Sequence, residues 1–403
     1  MSENLFEDLF VAYYDARRNK RNTANQLKFE LRLEENLLNL YHQLEDRTYK
    51  VGRSVAFIIE EPVKREVFAA GFADRVVHHL YFNYVNEIFE RTFIEDSYSC
   101  RKGKGTSRGI DRLDHHIRSC SANYTKDAYV LKLDLSGYFM SINRQILYDK
   151  VVGTLNKYAE RKNREGVRFC DALDYDLLMY LTREIVFHDP IENCFIRGDM
   201  SEWEGLPPDK SLFHSTEGCG LPIGNLTSQL FSNVYLNDFD QYVKRTLKMK
   251  HYGRYVDDFY MVSPSVKLLN EKKEQIKTYM EKEMGLKLHP RKIYLQHVRR
   301  GVSFLGAIIK PHRRYTMRRT VANFKNALAK GCEYYKEHPQ KLMQTMNSYL
   351  GFILHAKSFK LRKRVVEKNR WTFKFGWINV RYAKFIHDDG VGRYEQDTPP
   401  GEE

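Results

Sequence analysis

The amino-acid sequence predicts an α+β protein built around an antiparallel sheet. Two short aromatic-rich runs, 252–256 and 259–262, flank the pair Asp257-Asp258 in the pattern of a β-hairpin. A third strand pattern, over residues 129–135, carries Asp134 near its end. Helical patterns surround these strands, over about 73–91, 228–243 and 267–284, with another beginning near residue 142. Helices packed on an antiparallel sheet define the α+β class.

Length and charge narrow the class of protein. The 403 residues include 66 Lys and Arg against 52 Asp and Glu, which gives a formal net charge of +14. The length predicts two or three packed units. The positive charge favours polyanionic partners, although lysine-rich solvated surfaces are common. The six cysteines form no CxxC pair, and no apolar stretch has the length of a membrane span, so we expect a cytoplasmic protein without a membrane partner.

The flanking regions give weaker patterns. An amphipathic helix is predicted over residues 25–46, with apolar residues at helical spacing: Leu27, Leu31, Leu38, Tyr41 and Leu44. Residues 55–59 predict a strand, and the polar stretch from about 155 to 217 has the character of an insertion around a helix at 174–187. A pair of strands is predicted around Ile293 and residues 304–306, followed by a helical, basic region from 321.

The glycine-rich segment 101–109 is basic and invites comparison with a phosphate-binding loop. A P-loop needs a glycine five positions before its lysine, and Ser99 stands five positions before Lys104. The segment also lacks a preceding apolar strand, so nucleoside triphosphatase activity is not expected. We interpret Arg101, Lys102 and Lys104 as contacts to a nucleic-acid backbone, with a plain solvated turn as the alternative.

Asp134, Asp257 and Asp258 are the candidate catalytic residues. Adjacent aspartates at a hairpin tip can simply be turn formers. Apolar strands on both sides would instead bury them and press like charges together, which is costly unless a cation neutralises them. Asp134 can add a third carboxylate from a neighbouring strand. Such hard oxygen ligands suit a pair of Mg²⁺ ions in phosphoryl transfer, with Mn²⁺ as a possible substitute.

These residues resemble those of reverse transcriptases. Residues 255–258, Tyr-Val-Asp-Asp, are similar to the [Y/F]xDD motif, and residues 134–139, Asp-Leu-Ser-Gly-Tyr-Phe, to the motif that precedes it. The resemblance implies a right-hand polymerase with metal ligands at Asp134, Asp257, Asp258 and the carbonyl of Leu135. It implies nucleotide contacts from Lys64, Arg65, Phe139 as steric gate, and Lys292. It also implies a primer grip at Phe304, Leu305 and Gly306.

The segment 220–229, Gly-Leu-Pro-Ile-Gly-Asn-Leu-Thr-Ser-Gln, indicates a subfamily. Retroviral and group II intron enzymes usually have Gln where this chain has Ile223, and the segment resembles the reverse transcriptases of diversity-generating retroelements. Ile223, Gly224 and Gln229 are then expected at the nucleotide. The resemblance implies copying of a template-repeat RNA into cDNA with errors opposite adenine, and a small basic accessory variability protein as partner. Retron or abortive-infection reverse transcriptases are the alternative, and an inactive RNA-binding scaffold is the non-enzymatic one.

The resemblance also implies a domain organisation and a set of polymer ligands. We expect an N-terminal helical region at 1–49, interleaved fingers and palm at 50–311, a helical basic thumb at 312–387 and a disordered acidic tail at 388–403. The thumb would contact the nucleic-acid backbone through Lys360, Arg362 and Lys363. The expected ligands are template RNA, the RNA/DNA hybrid and deoxynucleoside triphosphates.

Overall fold

A computed structural model describes residues 4–18, 23–60, 63–162, 165–171 and 173–387. The acidic tail at 388–403 lies outside these residues. The chain divides after Leu295 into two compact units. No helix among the described residues is both long enough and apolar enough to cross a membrane.

The first unit contains ten α-helices among its described residues. They are α1 (Leu5–Arg17), α2 (Ala24–Glu30), α3 (Leu33–Glu45), α4 (Phe72–Glu90), α5 (Thr106–Cys120), α6 (Tyr138–Ser141), α7 (Arg144–Ala159), α8 (Tyr175–Phe187), α9 (Leu226–Gln241) and α10 (Val266–Met284). A π-helical turn, Tyr242–Thr246, extends α9. The helices predicted from about 73, 142, 174, 228 and 267 are therefore present.

The predicted helix over 25–46 is wrong in two respects. It is broken between α2 and α3, and Leu27, Leu31 and Leu38 are 47%, 85% and 46% exposed. The face that packs inward carries Phe29, Leu37 and Leu40 together with the predicted Leu44. Tertiary contacts select this face: Phe29 packs on the ring of Phe72 in α4, with ring centroids 5.2 Å apart.

The main sheet, with helices packed against it, confirms the α+β class predicted from the sequence. Its strands are β3 (Tyr129–Leu133), β5 (His251–Tyr255), β6 (Asp258–Ser263) and β7 (Tyr294–His297), in the order β5-β6-β3-β7. The β3–β6 and β5–β6 pairs are antiparallel. Helices α5 and α10 pack against this sheet. Leu131, Leu133 and Phe259 are at most 1% exposed and belong to the core of the unit, which holds these strands in place.

A second sheet has three strands, in the order β2-β1-β4. They are β1 (Ser54–Ile59), β2 (Arg65–Ala69), which is antiparallel to β1, and β4 (Cys194–Ile196), which is parallel to it. Strand β4 comes from the polar stretch 155–217. Glu66 on β2, 1% exposed, accepts hydrogen bonds from the Trp203 indole, the Ser211 hydroxyl and the Leu212 backbone N–H. The stretch 155–217 therefore supplies one strand of this sheet and the hydrogen-bond donors for its buried carboxylate.

The second unit begins with a three-stranded antiparallel sheet of β8 (Val302–Phe304), β9 (Ala307–Lys310) and β10 (Arg313–Thr316). Helices α11 (Arg318–Leu328), α12 (Gly331–Glu337), α13 (Pro339–Ile353) and α14 (Phe359–Lys368) follow, then the hairpin β11 (Gly376–Ile378) and β12 (Phe385–His387). The helical character after 321 agrees with the prediction. Strands β7 and β8 lie near the two positions predicted around 293 and 304, but they do not pair with each other, because they belong to different sheets.

Candidate active site

The β5–β6 hairpin presents the two adjacent aspartates. Tyr255 pairs with Asp258, so Val256 and Asp257 form a two-residue turn. Val256 has φ of +54°, an unusual conformation for a β-branched residue, which indicates that the surroundings hold this turn firmly. Leu133 pairs with Phe259 on the neighbouring strand, so Asp134 follows β3 at the position facing Asp258. The sheet register thus brings the three predicted acids to one end of two hydrogen-bonded strand pairs.

Two lysine side chains lie close to these carboxylates. The Lys292 ammonium donates to Asp134 Oδ1 at 2.8 Å, and Lys132 Nζ lies 3.5 Å from Asp258 Oδ2. Lys292 was predicted as a nucleotide contact; Lys132, on β3, was not predicted. Burial, then the charge of Asp134, raises the pKa of Asp257 to about 6, and burial also raises the pKa of Asp258. Burial therefore disfavours the ionised form of both carboxyls, which a bound cation would stabilise.

The donor chemistry suits hard cations, although in the described part of the chain no three His, Cys, Asp or Glu side chains form a ready metal-binding group. Asp134 and Asp258 are 18% and 27% exposed, so ions from solvent can reach them. Carboxylate oxygens are the ligands that Mg²⁺ prefers. The lysine ammonium groups occupy two of the carboxylates, so a divalent cation must compete with them.

A buried ion pair supports the hairpin from within the protein. Arg254 and Asp240 are both fully buried, and Arg254 Nη2 donates to Asp240 Oδ2 at 2.7 Å. The same guanidinium donates through Nη1 to the Val256 carbonyl at 2.9 Å, and the Val256 N–H donates to the Ser99 hydroxyl at 3.1 Å. Both backbone groups of the turn residue are therefore fixed. This support is not predictable from the sequence, where its only signal is an arginine directly before the Tyr-Val-Asp-Asp run.

The predicted nucleotide-binding turn lies against β2. The Phe68 N–H donates to the Ile223 carbonyl at 3.0 Å, and the Ala70 N–H donates to the Asn225 side chain at 3.2 Å. Gly224 has φ of +129°, and a Cβ there would lie 3.0 Å from Val67 Cγ1 and 3.1 Å from the Phe68 carbonyl oxygen. This position therefore favours glycine on both conformational and steric grounds. Gln229 is exposed on α9.

Phe139 and Ile223 come together in one partly buried cluster. Both side chains pack against a small core formed by Ala56, Phe68, Met140 and Leu212. The Leu221 N–H donates to the Phe139 carbonyl at 2.9 Å, which ties α6 to the turn. On the neighbouring strand Arg65 is exposed, whereas Lys64 donates to the Glu204 carbonyl at 2.8 Å.

Three of the predicted backbone contacts have internal partners instead. The Arg101 side chain is 5% exposed, pairs with Glu90 and donates to the carbonyls of Ile94 and Ser97. Lys104 is 13% exposed and pairs with Glu95 at 2.6 Å. Arg362 is buried and donates to Ser358, Arg381 and Tyr382. Arg101, Lys104 and Arg362 therefore have structural roles and are not contacts to a nucleic-acid backbone, since their donors bond groups of the protein itself. Lys102, Lys360 and Lys363 are exposed.

The predicted primer grip is a tight hairpin of the second unit. Phe304 pairs with Ala307, and the two turn residues Leu305 and Gly306 have φ of +46° and +81°. Two positive φ angles are typical of the turns that join antiparallel strands. A Cβ on Gly306 would lie 2.5 Å from the ring of Phe352, so the turn packs closely on α13.

Part of the chain is similar to known proteins. Residues 177–309 match the family model for reverse transcriptase (RNA-dependent DNA polymerase), a range that includes Asp257 and Asp258. Protein YkfC of Escherichia coli strain K12 is 24% identical over 285 residues, which cover 62% of this chain and 64% of YkfC.

Solved telomerase structures show more distant likenesses. Apo telomerase from Candida tropicalis has a TM-score of 0.49 at 11% identity, over 81% of this chain and 59% of that one. Telomerase from Candida albicans in complex with a telomeric RNA fragment has a TM-score of 0.48 at 9% identity, over 86% of this chain and 60% of that one. The chain spans less than two thirds of the length of each of these relatives.

Proposed function

We propose that this protein is an RNA-directed DNA polymerase. The observation that carries the proposal is the convergence of Asp134, Asp257 and Asp258 at adjacent strand ends, imposed by the antiparallel register. The raised pKa of Asp257 supports it, because a carboxylate that is buried and lies near the charge of Asp134 is stabilised by a neighbouring cation. The match of residues 177–309 to the reverse transcriptase family model supports the same chemistry.

In this proposal Asp134, Asp257, Asp258 and the Leu135 carbonyl would hold two divalent cations, Mg²⁺ or Mn²⁺. When bound, such ions activate the attacking hydroxyl and stabilise the leaving pyrophosphate. The chain itself prepares the site: Asp257 must be ionised, and Lys132 and Lys292 must release Asp258 and Asp134. A lysine freed in this way can neutralise phosphate oxygens. Arg65, exposed on β2, is placed to do the same.

The more specific function that we propose is the copying of a template-repeat RNA into adenine-mutagenised cDNA for targeted gene diversification, with a small basic accessory protein. Its support is the segment 220–229 and the aliphatic packing of Ile223. That side chain contributes shape and no hydrogen bond beside the predicted nucleotide position. Sequencing of cDNA made from a defined RNA template tests this part: errors concentrated opposite adenine support it, and an even error spectrum contradicts it.

Primer extension on an RNA template tests the polymerase itself. Asp257→Asn combined with Asp258→Asn should abolish Mg²⁺-dependent DNA synthesis and leave the fold intact, because the change removes charge from a repulsive cluster. Asp149→Asn combined with Asp238→Asn removes two exposed helix carboxylates of the same unit and should leave synthesis unchanged. Wild-type protein that binds RNA and never extends a primer would instead be an RNA-binding scaffold.

A further inference from the structure

We propose that the acidic segment 388–403 of this chain docks on a basic face of α14 and competes there with nucleic acid, a competition that rests on the proposed function. The structure describes the docking surface, and the segment lies outside the described residues. We define the α14 basic face by the cations that line two cavities beside this helix: Arg313, Arg314, Lys325, Lys357, Lys360, Arg364 and Lys368.

The two cavities adjoin along α14. The first has a volume of about 290 Å³ and an apolar floor formed by Ala329, Leu361 and Val365. The second has a volume of about 230 Å³. Leu361 and Arg364 line both cavities, and no acidic residue lines either of them. The surface therefore offers apolar depressions bordered by positive charge alone.

Three cations form a stripe along α14. Lys360, Arg364 and Lys368 are four residues apart, so they lie on one side of the helix, and all three are exposed. No carboxylate of the described residues lies within salt-bridge distance of them, whereas Lys363 on the same helix lies 3.7 Å from Glu367. Like charges at this spacing repel each other, so a segment that supplies carboxylates would stabilise the stripe.

The segment 388–403 has a composition complementary to this face. It contains six acids and one arginine, in a chain whose net charge is +14. Tyr394 is followed by Glu395 and Asp397, so a ring and two carboxylates lie close together in the sequence. Since an apolar cavity of about 150 Å³ can hold benzene, the first cavity has room for the ring of Tyr394. The two carboxylates would then meet the cations at its border.

The fold brings the start of this segment close to α14. The chain enters the segment from β12, and Tyr382, just before β12, contacts the helix. Its carbonyl accepts from Arg362 Nε at 2.8 Å, and its ring packs against Phe359 with centroids 5.7 Å apart. The twelve positions from Tyr382 to Tyr394 span up to about 40 Å when extended, whereas α14 is about 15 Å long. Tyr394 can therefore reach the whole helix.

The tether and the shared cations make the segment a competitor of nucleic acid. A short flexible connection gives an effective concentration on the order of millimolar, so individually weak ion pairs are sufficient for docking. Lys360 is a predicted contact to the nucleic-acid backbone, and Arg364 lies one turn further along the same stripe. A hybrid must therefore displace the carboxylates before its phosphates can bind these side chains. We infer that the segment lowers the affinity of the protein for nucleic acid.

Photo-crosslinking in the full chain tests the docking. Replacement of Tyr394 by p-benzoylphenylalanine should give crosslinks within one chain to α11 and α14, mapped by mass spectrometry at low ionic strength without nucleic acid. Salt at about 1 M, where the Debye length is about 3 Å, should remove them. Crosslinks between two copies of the chain, or only to other elements, would overturn the docking.

Anisotropy of a labelled RNA–DNA hybrid, without nucleotides or divalent cations, tests the competition. Glu395→Gln combined with Asp397→Asn should tighten binding about fivefold or more, because fewer carboxylates then hold the cations. The matched control is Glu333→Gln combined with Glu337→Gln, which removes two exposed carboxylates of α12 in the same unit and should change the affinity less than about twofold.

Equal affinities in the two double variants would overturn the competition, because net charge alone would then explain any change. If the wild-type protein extends no primer while residue 394 crosslinks to α14 as expected, the proposed polymerase fails and the docking stands.

Discussion

Arg254 and Asp240 form a fully buried ion pair whose guanidinium also holds the carbonyl of the residue before Asp257. The pair is reinforced by a second contact, from Arg254 Nε to Asp240 Oδ1 at 2.8 Å. A buried charge is stable only when it is paired and hydrogen-bonded, and here the guanidinium also donates to the turn formed by Val256 and Asp257. The position of the predicted metal ligands therefore depends on a residue of α9.

The first prediction concerns Asp240→Asn. The change leaves the Arg254 charge buried without its counter-charge, which should cost about 3–5 kcal/mol of stability. It should also loosen the Val256 carbonyl, so that the folded fraction needs a higher Mg²⁺ concentration for half-maximal synthesis. Measurement of primer extension against Mg²⁺ at a temperature where the variant is folded separates the two effects. Lost stability with an unchanged Mg²⁺ dependence would limit the pair to a role in the core.

The second prediction concerns the pH dependence of stability. Burial raises the pKa of Asp257 to about 6, above its value near 3.9 in an unfolded chain. The folded state therefore holds this proton more tightly, and the stability that this gives is lost as the pH rises through about 6. Without divalent cations, Asp257→Asn should raise the free energy of unfolding by up to about 2–3 kcal/mol near pH 8 and leave it unchanged near pH 3.

Denaturant unfolding in the presence of a chelator measures this difference. Asp258→Asn should gain less than Asp257→Asn, because Lys132 lies 3.5 Å from the Asp258 carboxylate and already compensates its charge. Identical pH profiles for the parent protein and Asp257→Asn would show that this carboxyl is solvated.

The residues that the sequence predicted well are those with a strong local pattern. The β3 strand is rich in apolar residues and the β5–β6 hairpin in aromatic ones, with turn formers beside them, and their pairing brings Asp134 to Asp258 without further information. Strand β4 has three residues and pairs with β1, about 140 positions earlier, so nothing local marks it. Asp240 was not predicted for the same reason: the local sequence around an acid in a helix does not indicate a buried partner on another element.

Charged side chains were the least predictable part of the candidate site. Arg101 and Arg362 resemble Lys102 and Lys360 in sequence context. The side chains of the two arginines are buried and donate to backbone carbonyls, whereas the two lysines are exposed. A guanidinium offers five donors and can be satisfied inside the protein, so composition alone does not separate a structural arginine from a ligand contact.

The third prediction addresses Phe139 as the steric gate. Phe139→Ala should increase ribonucleotide incorporation relative to deoxyribonucleotide by about tenfold or more, because the ring would no longer oppose a 2′-hydroxyl. Competition assays with paired nucleotides measure the ratio. Met140→Ala is the matched control, since Met140 belongs to the core cluster that Phe139 packs against. It should lower stability and leave the ratio alone. An unchanged ratio in active Phe139→Ala enzyme would make Phe139 a core residue.

The fourth prediction concerns the basic helix α14. Lys360, Lys363 and Arg364 are exposed, and their replacement by Ala should weaken binding to an RNA–DNA hybrid without sequence preference. Each lost phosphate contact should reduce the magnitude of the salt slope by about 0.7–0.9. Arg362 is left in place because its donors hold residues 381 and 382. Replacement of Lys267, Lys277 and Lys282, exposed on α10, removes equal charge and should leave the slope unchanged. Equal salt slopes in both triple variants would show that the exposed residues of α14 contact solvent and not nucleic acid.

The last prediction concerns Ile223, whose carbonyl accepts from the Phe68 N–H while its side chain packs with Phe68, Met140 and Leu212. An aliphatic side chain beside a nascent base pair offers only non-directional packing, whereas Gln can hydrogen-bond a template or nucleotide group. One such contact is worth about 1 kcal/mol, or several-fold in error rate. Ile223→Gln should therefore lower misincorporation opposite template adenine more than opposite the other bases.

Sequencing of cDNA made on one RNA by both forms measures the error spectrum base by base. Ile223→Val keeps the aliphatic packing and should keep the adenine errors, which separates loss of shape from gain of a hydrogen bond. An adenine error rate that is the same in Ile223→Gln and the parent protein would show that this side chain only fills the core between β2 and α6. Errors that fall equally opposite all four bases would show that the Gln contact improves fidelity in general, and the adenine bias would then have to arise from other residues around the template base.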